Sequence, residues 1–181
     1  MYGLLKKIAL TPRVTEPRGV FESALDTETV DVGDRLREAI FSHLGRSLAI
    51  REVDAGSTNA EEWELTALGN AYYDSERFGI HFVASPRHAD ALLVTGPVAR
   101  NMAEALRRTY EATPGPKMVV AVGDGAIDGG IFKGSYAIAG GVKEVIPVDL
   151  EIPGDPPSPL AIMTALLSLV DELGKARRGR A

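Results

Sequence analysis

The chain has 181 residues, 45% of them apolar, and a formal net charge of −5. This suits one globular domain with a sizeable core, and the acidic balance excludes general nucleic-acid binding, which needs a clustered basic surface. Cysteine is absent, which excludes disulfides, thiol catalysis and thiolate-held zinc or iron–sulfur centres.

Residues 1–46 read as a non-repeating lead-in. Within it, 2–10 sets Leu4, Leu5, Ile8 and Ala9 against Lys6 and Lys7. That amphipathic pattern suits docking on a partner or a membrane surface, and equally packing on its own domain. The two lysines also cut the apolar stretch a signal peptide would need. The longest apolar run, 161–170, is interrupted by Thr164 and Ser168 and falls short of the ~20 residues of a membrane span. A cytoplasmic chain is expected. Pro12 and Pro17 hold the backbone extended, and 31–44 predicts a helix with Leu36, Ile40, Phe41 and Leu44 on one face.

From Ser47 onward strands and helices alternate. Residues 47–53 (SLAIREV) predict a strand that runs into the turn-rich Asp54-Ala55-Gly56-Ser57-Thr58-Asn59. A helix follows at 61–68, with Trp63 as a core anchor, then strands at 78–84 and 91–94. The helix at 98–112 carries Met102, Ala105, Leu106 and Tyr110 at helical spacing and is closed by Pro114 and Pro116. Two apolar runs, 118–122 and 145–149, predict strands that each end in a Gly/Pro loop, and 160–173 predicts the last helix before a basic tail at 175–181. The alternation predicts an α/β domain over 47–174, built on an open, mainly parallel, flavodoxin-like sheet with helices on both faces. On such a sheet the loops 54–61, 95–97, 123–130 and 153–157 share the edge where ligands bind.

The obvious motifs on that edge are weak. GDGAIDGG at 123–130 has the spacing Gly-x-Gly-x-x-x-Gly, which misses the dinucleotide fingerprint by one residue and lacks the Lys-Ser/Thr of a P-loop. Asp124, Asp128, Asp155 and Glu61 could converge on a hard cation, but they match no calcium loop, and acids in Gly-rich loops are usually solvated or capping. His43, His81 and His88 show no ligand spacing, and no Gly-x-Ser-x-Gly nucleophile elbow is present.

A longer series is more specific. Arg-Phe-Gly at 77–79, SPRHAD at 85–90, VTGPV at 94–98, ALRRTYE at 105–111, VGDGAIDGG at 122–130, SYAIAGGV at 135–142, IPVD at 146–149 and PGDPP at 153–157 resemble, in order and with few gaps, the small subunit of membrane-bound, energy-converting NiFe hydrogenases. Formate hydrogenlyase and the related B-type subunit of complex I (NADH–quinone oxidoreductase) share most of them. The resemblance spans about residues 47–173. It implies a 4Fe–4S cluster on cysteines standing in Gly-Ser-Cys-Asn-x-Cys, Gly-Asp-Cys-Ala and Pro-Gly-Cys-Pro-Pro. The matching positions here are Thr58, Glu61, Gly125 and Asp155, none of them a thiolate, while Gly56-Ser57, Asn59, Gly123-Asp124, Ala126, Pro153-Gly154 and Pro156-Pro157 remain.

The resemblance therefore implies a subunit without a cluster or other expected cofactor. It would play a structural or coupling part beside a large-subunit homologue and the other subunits of a membrane-bound complex, peripheral on the inner face of the membrane. Ser57, Asn59, Arg87, His88, Asp124 and Asp128 are the expected interface residues. Two alternatives stand beside this reading. The vacated pocket could bind a small ligand or hard metal ion, or the chain could be a cluster-less variant of an ordinary electron-transfer subunit. The vacated volume predicts a polar plug in which Asp155 accepts from Thr58 or loop amides.

Overall fold

The computed structural model describes residues 27–178, with Lys6, Lys7, Leu10 and Thr11 ahead of them. In chain order the elements are α1 (Thr27–Leu44), β1 (Leu48–Asp54), α2 (Ala60–Ala67), β2 (Ile80–Phe82), β3 (Ala91–Thr95), β4 (Val98–Ala99) and α3 (Arg100–Ala112), then β5 (Met118–Val122), α4 (Asp124–Asp128), β6 (Ile138–Gly140), β7 (Leu150–Ile152) and α5 (Pro159–Arg178). The expected helix at 2–10 lies, but for Lys6, Lys7 and Leu10, outside the described residues.

Five strands pair in the order β2-β1-β3-β5-β7, every pair parallel. Counted within the sheet this is 2-1-3-4-5, the flavodoxin-like winding. β3 and β5 at its centre are buried along their whole length, which is why their sequences are unbroken apolar runs. Successive side chains point to opposite faces. Leu93, Val120 and Val122 meet Leu36 and Ile40 of α1 and Ile162, Met163 and Leu166 of α5. Leu92, Val94, Val119 and Ala121 meet Leu106 of α3 and Ala126 of α4 on the other face. Each fully buried Leu or Ile contributes about 1.5–3 kcal/mol of transfer free energy. α1 supplies Leu36, Ala39 and Ile40 to the first core.

Several boundaries and one core position differ from the sequence reading, the first helix starting at Thr27 rather than 31 and the last running to Arg178 rather than 173. The fifth strand is Leu150–Ile152 rather than 145–149. Pro147 lacks an amide for a ladder, and Val142–Glu144 forms a 3-10 turn whose carbonyl at Val142 takes the Val145 and Ile146 amides. The second strand keeps only Ile80–Phe82, Phe78 being the buried end of a 3-10 turn. Val98 and Ala99 leave the predicted helix to pair antiparallel with β6. Trp63 is exposed rather than a core anchor, because α2 turns Glu61 and Leu65 inward instead.

At the N-terminal edge of the sheet, Asp90 accepts from Nη1 and Nη2 of Arg46 (2.7 and 2.6 Å) and from the Ala49 amide (3.0 Å). Burial opposes the Asp90 charge, but the Arg46 and Ala49 hydrogen bonds outweigh it and hold the carboxyl below its ordinary range. Its stabilising contribution is therefore complete above the unfolded pKa and is lost as pH falls through the lower folded value. Arg46 is mostly exposed, so its ion pair is screened and the amide bond carries more of the effect. Asp90→Ala should cost about 1–3 kcal/mol at neutral pH, with the difference from wild type shrinking in urea melts run below the carboxylate range.

Candidate functional site

The C-terminal ends of β1, β3, β5 and β7 deliver four loops to one edge. After β1, Asp54 Oδ1 accepts from the Gly56 and Ser57 amides (2.8 and 2.9 Å) and turns the chain. Ser57 Oγ accepts from the Asn59 amide (3.0 Å) and donates to Glu62 Oε2 (2.5 Å), and Thr95 Oγ1 at the end of β3 donates to Glu62 Oε1. Glu62 thus ties the first loop to the second. Asn59 enters α2 with φ 72°, a left-handed conformation that asparagine tolerates better than most residues.

The third and fourth loops are tied in a similar way. The Asp124 amide donates to the Gly154 carbonyl (2.8 Å) and the Gly154 amide donates to Asp124 Oδ1 (2.9 Å). Gly123, at φ 89°, makes the turn between β5 and α4. A Cβ at Gly123 would lie 2.6 Å from Glu61 Oε1, so the bare α-carbon is what lets the Glu61 side chain lie across the loop.

These loops enclose a cleft of about 60 Å³, room for a few waters. Thr58, Glu61, Gly125 and Asp155 all line it, with Asp124 and the apolar walls Ile131 and Phe132. The four positions singled out by resemblance are therefore brought to one place. Ser57 and Asn59 flank it on the first loop. Asp128 closes α4, accepts from Lys133 (2.7 Å) and the Gly130 amide (3.0 Å), and is held below the usual carboxylate range chiefly by Lys133. Arg87 and His88 are not brought there. They lie in the turn Pro86–His88, next to Asp90, whose amide is bonded to Ala49 at the opposite edge of the sheet.

The expected polar plug does not form. Thr58 and Asp155 are both exposed, and among the described residues no hydrogen bond joins them. Backbone takes up the room beside Gly125 instead, leaving the small cleft in front of Glu61. A Cβ on Gly125 would stand 2.5 Å from the Gly96 carbonyl oxygen and 3.0 Å from the Pro97 nitrogen, so the segment after β3 occupies the volume a side chain at 125 would need. Glu61 is the one matching position that is buried, at 2% exposure, and its Oε2 has no hydrogen-bond partner. Burial pushes its carboxyl above the ordinary range. Its own backbone amide opposes the shift, and the charges of Glu62, Asp155 and Asp54 add to it.

This donor set does not fit a 4Fe–4S cluster. Three hard oxygen donors and a glycine replace soft thiolates, and the glycine is overlaid by backbone. Nor do the described residues contain any group of three or more His, Asp or Glu placed to hold a metal ion.

The family of the 20 kDa subunit of NADH ubiquinone oxidoreductase matches residues 59–169. The chain belongs to that family. It is 41% identical to a probable membrane-bound hydrogenase subunit of Pyrococcus furiosus over 75% of its own length and 81% of that protein. It is 44% identical to the B-type subunit of the NADH-quinone oxidoreductase of Geotalea uraniireducens, over 63% of this chain and 66% of that one. Among solved structures, a chain of the archaeal membrane-bound sulfane sulfur reductase, a respiratory membrane complex, superposes with a TM-score of 0.64 at 37% identity, covering 72% of each chain. A chain of an NAD+-reducing NiFe-hydrogenase, at 20% identity and a TM-score of 0.54, shares the fold.

Two features of the site escaped sequence reading. The Ser57–Glu62–Thr95 network reaches across 33 residues between Glu62 and Thr95, and no local pattern announces it. Ile131 and Phe132 read as loop residues, although two adjacent large apolar residues inside a Gly-rich loop were a usable signal.

Proposed function

We propose that this chain is a cluster-free subunit of a membrane-associated complex of the hydrogenase or NADH–quinone oxidoreductase type, in which it serves structure or coupling rather than electron transfer. Its partner is a large-subunit homologue seated on the edge formed by the loops 54–61, 123–130 and 153–157. The observation that carries this reading is apolar surface on that edge. Ile131, which is 82% exposed, and Phe132, 41% exposed, both line the cleft. Large side chains left in water beside a tightly braced cleft suit an interface better than free solvent. Among the described residues no helix is long and apolar enough to cross a membrane, so attachment to the inner face of the membrane would come through the complex.

Ser57, Asn59, Asp124 and Asp128 fall within or beside this surface. Arg87 and His88 would serve a different contact, at the other edge. Ile131→Asp should weaken association with the partner at least tenfold without lowering the melting temperature of the free chain, because apolar anchors dominate interface energies and this one is exposed when alone. Arg87→Glu should leave that association within about threefold. Co-purification of tagged variants in the native host reads both. Equal losses would place the interface elsewhere.

A further inference from the structure

Glu61 is shut away from water with one carboxylate oxygen unpartnered, a condition that penalises the ionised form heavily unless a donor arrives. The charged groups around it are all acidic: Asp54 and Glu62 from its own loop and helix, Asp155 from the loop after β7, and Asp124, which lines the same cleft. Among the described residues no lysine, arginine or histidine lines the cleft. It opens beside a wider groove of about 730 Å³ that shares Asp124, Ile131 and Asp155 and adds Asp128 and Glu151. Lys133 on Asp128 and Lys143 near Glu151 offset those two only in part. The cleft is large enough for a head group and too small for a whole ligand. Ile131 and Phe132 offer an apolar wall on which a long aliphatic stem would pack.

We propose that the cleft is a socket for one lysine or arginine side chain of the subunit that docks on this edge, its N–H groups donating to Glu61 Oε2. The proposal rests on the docking reading above. Burial and the neighbouring acids hold the Glu61 carboxyl above its usual range, so the free chain keeps this proton to higher pH than an ordinary glutamate. When the cationic group enters, the Glu61 O–H bond breaks, the proton leaves to water, and the carboxylate accepts the incoming N–H donors. Nothing is oxidised or reduced. Docking is thereby coupled to the release of about one proton at pH values below the Glu61 pKa.

Two measurements test this. In the full chain carrying carbon-13-labelled glutamate, one carboxyl should titrate above the ordinary range and be missing from Glu61→Gln. Methylguanidinium chloride should move that titration to lower pH, and sodium chloride at equal ionic strength should not. In association with the isolated partner subunit, wild type should release about one proton and, below the Glu61 pKa, gain affinity about tenfold for each unit of rising pH. Glu61→Gln should release none and bind at least tenfold more weakly above that pKa. A titration that methylguanidinium leaves in place overturns the socket. So does a Glu61→Gln chain that docks with wild-type affinity and proton balance, and this outcome leaves docking itself intact. A wild-type chain that takes methylguanidinium but associates with no subunit overturns the docking reading instead, and with it the source of the cation.

Discussion

Putting cysteine back at all four matching positions should fail to rebuild a cluster. The combined variant Thr58→Cys, Glu61→Cys, Gly125→Cys and Asp155→Cys restores the thiolates that an iron–sulfur centre requires, yet the third of them has no room. A Cβ at 125 meets the Gly96 carbonyl oxygen at 2.5 Å and the Gly96 carbonyl carbon at 2.9 Å. These are backbone atoms that no rotamer change moves aside. Gly125 lies outside the left-handed region, so the obstacle is contact rather than φ. Gly125→Ala alone should accordingly cost about 1–3 kcal/mol in urea melts, the range for overfilling a packed site. The quadruple variant, reconstituted anaerobically and shown to be folded, should hold well under the four irons of a complete cubane. Uptake of about four irons with matching sulfide would mean that the 96–97 segment retracts readily and that Gly125 is no obstacle to a cluster.

The second large effect is expected in the core that positions these loops. Leu106 is the only fully buried residue of α3 and packs among Leu92, Val94, Val119 and Ala121 on the sheet face beneath it. Leu106→Ala should destabilise the chain by about 2–5 kcal/mol, the sum of lost transfer energy and the cavity left behind. The midpoint of urea unfolding should fall with its slope unchanged. Arg107→Ala, one residue away and exposed, should stay within about 0.5 kcal/mol. A comparable loss at both positions would mean that α3 is not held through Leu106.

The parts of the fold that were legible are those in which the burial pattern leaves a local mark. β3 and β5 are covered on both faces and so appear as unbroken apolar runs. α3 was recognisable from Leu106 and Tyr110 at helical spacing. The edge strands were less legible. β7 reads Leu-Glu-Ile, with Glu151 exposed between a half-buried and a buried residue, and it looks weaker in sequence than the apolar 145–149 beside it. Ile146 is buried there, but in the second core rather than in the ladder. The β4–β6 pair was invisible because it joins two and three residues from distant segments.

The site divides along the same line. The sheet edge followed from strand order, and the resemblance supplied Thr58, Glu61, Gly125 and Asp155, which the structure places around one cleft. What the sequence could not show was how the cleft is filled. A glutamate in the first turn of a helix reads as a solvated acid that suits the helix dipole, whereas Glu61 is buried, its side chain laid against Gly123. A glycine reads as a flexible link, whereas Gly125 is held under the backbone of Gly96 and Pro97. Both facts depend on contacts across the sheet edge, and neither residue's neighbours in sequence encode them.

Anaerobic purification of the native complex through a tag on this chain is the most direct measurement. Its subunits would be identified, and the iron and acid-labile sulfide of this chain measured after separation. A cluster-free scaffold subunit should arrive with a large-subunit homologue in equal amount and carry no sulfide of its own. Isolation as a lone, stable monomer, or iron and sulfide in the four-to-four ratio of a cubane bound to this chain, would contradict that role.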